Sequence, residues 1–462
     1  MNKSVGKKSL GLCAGVLSSI IIMNLRLDIP IEGQKCMALS IMAVIWWATK
    51  AMDAGLSSLA LLVGYALFLD PKVVPLSTIF GLWSSPNMYL VIGGFLIAEA
   101  IKKSGLGERL AYVYIRKFVH SYRGVIISCY VLGFLLSFII PHPWPRCFLL
   151  VSVMAHVVSA SKLSEKFASQ IGFAIFASSI PTAMILITGD STLNSTVSNF
   201  SGTPLSWGSW LLYMGIPGII ASSLTCIAQI VTAGKPEIFQ LDENAIKENQ
   251  NRLGKLQKKE IKAIIIMVIA ITLWMTDSVH GIHPGWIAAL ASICLGLPSV
   301  EILTKESWSA INISTLIFLS AALSIGAIGN ITGMNDWIAG CLMPSSLSSN
   351  PYIFAIIACV ISMIIHMILG SSLAVLGIAA PAIISMGSMV GIAPLVCAMI
   401  TYTAVCLHWI LPFHHMNLLI GIGDNGGNYT EKHVFKLGLI QTFIVLVICI
   451  FEIFWWSLIG LF

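Results

Sequence analysis

Apolar segments of about the length that crosses a bilayer recur along the whole of this 462-residue chain, and that recurrence leaves few folds open. A helix needs roughly 20 residues to cross a ~30 Å hydrocarbon core. Only 10% of the residues are charged, too few to cover a soluble globule of this size. The chain therefore reads as an all-α polytopic membrane protein with about 11 transmembrane helices. Nothing resembling a soluble catalytic domain is left over, so an enzyme is not expected. Lys3, Lys7 and Lys8 precede the first apolar run without a small-residue cleavage site behind it, which predicts a retained first span.

The formal charge of +6 is read as topology, because Lys and Arg accumulate in cytoplasmic loops of membrane proteins. No basic stripe with interleaved aromatics appears, and no nucleic-acid partner is expected. The 11 cysteines lie mostly inside apolar runs without CxxC spacing and read as small apolar residues rather than disulfides or metal ligands.

One apolar stretch is broken unlike the others. Ser137 to Cys147 reads SFIIPHPWPRC, with three prolines, His142 and Arg146 in a hydrophobic context. Hydrocarbon tolerates broken backbone and fixed charge only where protein or a water-filled cavity surrounds them. The stretch predicts the tip of a re-entrant hairpin over about 125–160, and Lys162 and Lys166 mark an intracellular exit. A second apolar region, about 167–200, is too long for one crossing and is interrupted around Gly189 to Asn194. The later chain repeats both features: a broken region over about 351–389, interrupted near Gly370 to Leu373, and one over about 394–422, interrupted at Pro412 to Asn417.

Local matches support a repeat. Trp47 and Thr49 correspond to Trp274 and Thr276, WSSPN from Trp83 to WSAIN from Trp308, and GLGERLA from Gly105 to GMNDWIA from Gly333, all at separations of about 225 to 228 residues. The expected organisation is an extra helix over 1–34, a first repeat over 35–233, a charged cytoplasmic linker over 234–262 and a second repeat over 263–462. With a cytoplasmic N-terminus and an outside C-terminus, nearly all basic residues face inward, which makes the repeat inverted. Lys102 to Lys117 reads as an amphipathic stretch on the membrane surface.

The chain resembles the divalent anion/sodium symporter family, a branch of the ion transporter superfamily. The likeness is carried by IWWATKA at Ile45 to Ala51, IGGFLIAEAIKKSGLGERLA at Ile92 to Ala111 and LWMTDSVHGIHPGWIAALAS at Leu273 to Ser292. The resemblance implies a homodimer in the cytoplasmic (inner) membrane, with a fixed scaffold and a transport unit that moves like an elevator. It also implies two hairpin tips and two broken turns that bind substrate and sodium. Asn194 and Asn417 match the Asn of the family's turn, Ser191 its first hydroxyl, and Ser371 the Ser of the second tip. Pro141, His142 and Pro143 occupy the first tip and Ser372 and Leu373 the second, so both tip asparagines are missing. His414, His415 and Met416 fill the second turn.

Two residues speak for themselves. Arg146 offers a planar fork suited to a carboxylate, sulfate or phosphate edge; the competing readings are an ion pair with Asp190 or a reach to the cytoplasmic interface. His142 either binds an anion or shuttles a proton, or is a neutral ring satisfied by backbone. Asp190 is a candidate for the coupling ion, with its pairing to Arg146 favoured. The candidate substrate-binding set is His142, Arg146, Ser191, Asn194, Ser371, Ser372, His415 and Asn417; the coupling-ion set is Asp190, Asn194 and Asn417. His366 and His408 read as buried, hydrogen-bonded rings, and Glu99 and Glu452 as residues near span ends that pair or snorkel.

The function expected is secondary active transport of a small anion, a di- or tricarboxylate or an inorganic oxyanion, coupled to sodium or protons and without a cofactor. A cation/proton exchanger or arsenite-type permease of similar fold is the alternative. An intramembrane metalloenzyme built on the histidines is a more distant one; no HExxH pair supports it.

Overall fold

The computed structural model describes residues 3–161, 163–236, 239, 240, 242, 248, 253–342, 349–369, 371–423 and 427–461. Lys162, Gly370 and much of the charged linker, including Glu237, Glu243, Lys247 and Arg252, lie outside the described residues. Among those described, the chain is helical, and the one β pairing is a single bridge between Ile422 and Tyr429. Among the described residues, four helices have by themselves the length and apolarity to cross a membrane: Trp207–Ala233, Ile313–Ile331, Ser372–Met389 and Glu431–Leu458. Other apolar helices are shorter, and two of them, Tyr122–Ser137 and Pro394–Leu407, end at breaks in the chain.

The order of elements repeats. After the helix Lys3–Asn24, the first half runs Ile31–Thr49, Ala54–Phe68, Pro86–Ser104 and the short Leu106–Phe118. A helix–break–helix pair follows, Tyr122–Ser137 with Pro143–Ser159. Next comes a discontinuous helix made of Glu165–Ala183, a 3-10 turn at Ile187–Asp190 and Asn194–Ser201, then the long Trp207–Ala233. The second half runs Lys258–Met275, Pro284–Gly296, Ile313–Ile331 and Met334–Leu342. Its broken pair is Pro351–Leu369 with Ser372–Met389. Its discontinuous helix is Pro394–Leu407, a 3-10 turn at Pro412–His414 and Met416–Ile420, and Glu431–Leu458 closes the chain.

The halves are interlocked by matching contacts. Pro86–Ser104 packs on Pro284–Gly296, and Ile313–Ile331 on Ala54–Phe68, so the third helix of each half lies against the second helix of the other. Both contacts need a glycine at the second helical position. A Cβ on Gly285 would stand 1.9 Å from the Pro86 carbonyl oxygen, and one on Gly55 would stand 2.5 Å from Ser314 Oγ. The residue two places earlier caps each helix, with Asp53 Oδ1 accepting from Gly55 N–H at 2.9 Å and His283 Nδ1 from Gly285 N–H at 3.1 Å. The last helices of the halves, Trp207–Ala233 and Glu431–Leu458, pack on each other.

Leu106–Phe118 is amphipathic as expected, with Leu110, Val113 and Phe118 exposed and Ala111, Tyr112 and Ile115 buried. Gly105, at φ 77°, supplies the left-handed turn that starts it. Its Arg109 fixes the end of the linker. The guanidinium donates to both oxygens of Glu260, at 2.6 and 3.0 Å, and to the carbonyls of Leu253 and Gly254. That hydrogen-bonded pairing with Arg109 holds the Glu260 carboxyl below the ordinary glutamate range. Glu99 pairs with Lys103 at 3.7 Å. Glu452 differs from expectation: it is fully buried in Glu431–Leu458, where Thr403 Oγ1 donates to its Oε1 at 2.6 Å. Val445, Ile448, Cys449 and Trp456 of the same helix are buried with it, so this face packs inward.

Two outcomes follow from these contacts. Gly285→Ala should cost about 1–3 kcal/mol through overpacking and lower the thermal midpoint in detergent. Gly296→Ala, whose added methyl would meet only Leu303 at 3.8 Å, should not. Glu260 has a lowered folded-state pKa, so its stabilisation is complete above the ordinary glutamate pKa and is lost as pH falls through the lowered one. The stability gap between wild type and Glu260→Gln should therefore be largest at neutral pH and close on acidification below about pH 4.

Candidate functional site

The breaks expose backbone groups in the middle of an apolar molecule, and side chains take them up. In the first broken pair, Pro143 begins the second helix and the His142 ring caps it, Nδ1 accepting from Trp144 N–H at 3.3 Å. The same ring stacks on Phe95, with centroids 4.7 Å apart. Arg146 follows within the first turn and is 1% exposed. Its Nη1 donates to the carbonyls of Ile140, at 3.0 Å, and Gly189, at 2.7 Å, joining the first broken pair to the first discontinuous helix. Ser191 N–H adds a second tie, to the Pro141 carbonyl at 3.1 Å. Nε and Nη2 of Arg146 are buried without a hydrogen-bond partner.

The favoured pairing of Arg146 with Asp190 is not formed. Among the described residues the ion pairs are Lys35 with Glu32, Lys103 with Glu99 and Arg109 with Glu260. Asp190 Oδ1 instead accepts from Thr192 and Leu193 N–H, at 3.0 and 3.2 Å, because an aspartate opening a turn finds the backbone two and three residues on before it finds a distant cation. Asn194 is a clip. Its Nδ2 donates to the carbonyls of Ala183, at 2.9 Å, and Leu186, at 2.8 Å, while Oδ1 accepts from Tyr402. Ser191 Oγ is buried without a partner.

The second discontinuous helix is held by histidines. His414 Nδ1 accepts from Ile410 and Leu411 N–H, at 3.1 and 3.0 Å. The His414 carbonyl accepts from His366 Nε2 at 2.8 Å and from Ser372 Oγ at 3.3 Å, which ties the second broken pair to this turn. His408 Nδ1 meets His366 Nδ1 at 3.4 Å. Since His366 Nε2 must carry a proton to donate, its neutral Nδ1 is bare and His408 is the donor. His366 and His408 are thus buried and hydrogen-bonded, as expected of them. Ser371 precedes the second helix of the pair without capping it through its side chain.

Asp190, His415 and Asn417 line one cavity together with Ser179, Tyr402 and Cys406, and the cavity offers about 10 Å³ to the centre of a water-sized sphere. Asn417 donates to Ser179 Oγ at 2.9 Å and accepts from Trp144 Nε1 at 2.7 Å. His142, Arg146, Ser191, Asn194, Ser371 and Ser372 stand around this centre without lining the cavity. Trp144, Ser179 and Tyr402 were not anticipated. Trp144 lies inside the PHPWPR stretch and an indole among prolines was a readable signal; Ser179 and Tyr402 sit mid-helix in apolar sequence and carried none.

Two helix–break–helix pairs and two discontinuous helices around a shared polar centre, in a chain with spanning apolar helices, define a multi-pass membrane transporter. The chain belongs to the divalent anion/sodium symporter family: the family model described as the sodium:sulfate symporter transmembrane region matches residues 7–462. Among relatives, dicarboxylate transporter 2.1, chloroplastic, of Arabidopsis thaliana is 22% identical over 87% of this chain and 74% of its own length. The sodium-dependent dicarboxylate transporter SdcS of Staphylococcus aureus is 24% identical over 64% of this chain and 62% of its own. The fold is similar to that of the Alcanivorax borkumensis YdaH transporter, with a TM-score of 0.52 and 13% identity over 83% of this chain and 87% of that one. The family is one of transporters rather than enzymes.

The clip geometry of Asn194 yields a direct test. Asn194→Ala and Asn194→Asp should both lose about 1–3 kcal/mol by stranding the carbonyls of the first break, seen as lower thermal midpoints. Tyr402→Phe should lose less, because only one acceptor is left bare.

Proposed function

We propose that this protein is a secondary active carrier of a small anion, a di- or tricarboxylate or an inorganic oxyanion, across the cytoplasmic membrane. The observation that carries the reading is Arg146: a fully buried guanidinium at the meeting of two helix breaks, two of its nitrogens unclaimed, with no carboxylate paired to it. A guanidinium stays charged in a protein, and a buried charge without a partner is costly. A bidentate carboxylate or oxyanion edge supplies both the missing charge and the missing acceptors. The dicarboxylate named for the relatives fits that chemistry.

The small cavity bears on mechanism. A volume with room for about one water does not admit a dicarboxylate, so substrate entry requires the broken pairs and discontinuous helices to part from their present packing. We assign these four elements, with Trp207–Ala233 and Glu431–Leu458, to the moving unit of an elevator, and the interlocked glycine contacts to its fixed frame. The two broken pairs act as re-entrant hairpins, and the repeats run in inverted orientation with the N-terminus in the cytoplasm and the C-terminus outside. Two copies pair through their frames as a homodimer. The coupling ion, sodium or a proton, sits at Asp190 beside His415 and Asn417, where one carboxylate oxygen is held by backbone and the other is left for a cation.

Proteoliposome uptake of radiolabelled dicarboxylates, citrate and sulfate, under imposed sodium or proton gradients, tests this. Arg146→Lys should keep the charge but lose the fork, weakening substrate at least about tenfold. Asp190→Asn should abolish gradient-driven accumulation while leaving exchange. Substrate-induced thermal stabilisation that is equal in wild type and Arg146→Lys would remove Arg146 from the site.

A further inference from the structure

A second concavity lies away from the polar centre, where three helix ends meet: the second turn of Glu165–Ala183, the last turn of Trp207–Ala233 and the first turns of Glu431–Leu458. It offers about 250 Å³ to the centre of a water-sized sphere and is lined by Gln170, Thr232, Thr430, Lys432, His433 and Lys436. Two of these six side chains are ammonium groups and none is a carboxylate; Glu165 and Glu431, on the same helices, do not line it.

The wall is constructed. Lys436 Nζ donates to the Thr232 carbonyl at 3.0 Å, which fixes its charge at the rim and joins two of the helices. His433 is held twice. Its Nδ1 accepts from Thr430 N–H at 3.1 Å, so the neutral ring carries its proton on Nε2, which faces Ser169 Oγ at 3.4 Å. Against this held frame two groups are unclaimed. Gln170 is only 9% exposed and lines the pocket, and among the described residues its carboxamide makes no hydrogen bond. An amide that faces a pocket in this way is free to donate to a group held there. Lys432, which is exposed, lines the same space and has no ion-pair partner among the described residues. The N-terminus of the 28-residue helix Glu431–Leu458 adds its positive dipole end.

We propose that this pocket is an oxyanion site, separate from the transport centre, that takes a phosphate-type group between Lys432, Lys436 and the Gln170 amide. The group would come from free phosphate or from the headgroup of an anionic phospholipid, since the pocket lies at the ends of apolar helices.

The test uses the purified full chain. In neutral detergent, inorganic phosphate should raise the thermal midpoint above that in chloride of equal ionic strength. Lys432→Gln and Gln170→Leu should each raise the phosphate concentration for half-maximal stabilisation at least about tenfold, the weight of one charge-assisted hydrogen bond. In phosphatidylcholine nanodiscs, addition of phosphatidylglycerol is the second arm. Stabilisation by phosphatidylglycerol alone, lost in Lys432→Gln, would support the site with a lipid as its source. Lys432 is exposed, so that variant should fold even if Gln170→Leu does not. Stabilisation by neither probe overturns the proposal. So does stabilisation that survives both variants and disappears in Arg146→Lys, because the anion would then occupy the transport centre.

Discussion

Every interruption of a helix at the centre of this protein frees carbonyls and N–H groups that hydrocarbon cannot solvate, and the structure depends on side chains taking them up. Arg146 holds Ile140 and Gly189, Asn194 holds Ala183 and Leu186, and the His414 ring holds Ile410 and Leu411. Each of these side chains crosses from one element to another or closes a turn on itself. The breaks are therefore not loose; they are joined to one another through polar bonds inside a tightly packed core.

That economy explains the character of the site. A group that satisfies backbone has little left to offer a ligand, and Asn194 is the plainest case. Arg146 is the exception because a guanidinium has five N–H donors and the two carbonyls engage only Nη1. The remaining donors make the point where two breaks meet electropositive. Asp190 spends one oxygen on its own turn and keeps its carboxylate on the cavity. The two sides of the centre thus present a guanidinium and a carboxyl group that do not form an ion pair. The small cavity lies on the Asp190 side and has room for about one water.

Much of this was legible in the sequence. The run PHPWPR announced a break, because prolines remove N–H donors and bias the residues before them away from helix. Matching interruptions in the second half announced its counterpart, and the helices of the second half come in an order like that of the first. Other features were not legible. The Arg146–Asp190 pairing looked natural from charge alone, but local N–H groups at a turn reach a carboxylate first. Glu452 looked interfacial from its distance to the chain end, but the face of a helix that turns inward is set by its neighbours. Ser179 and Tyr402 carried no signal, since one hydroxyl on an apolar helix looks like any other until the opposing helix is known.

The sequence by itself determined the medium and the plan: apolar runs of spanning length, two interrupted regions in each half, and a short list of polar residues at the interruptions. These are local properties, decided by hydropathy and by the chemistry of proline, glycine and a buried charge. Which polar groups meet was decided only by tertiary structure. His366 reaches the His414 carbonyl across 48 positions, Trp144 reaches Asn417 across 273, and Gly285 admits Pro86 from the other half. Such contacts depend on how helices cross and rotate about their axes. A rotation of one residue, about 100° on a helix, exchanges a ligand-facing side chain for one that only holds the frame together.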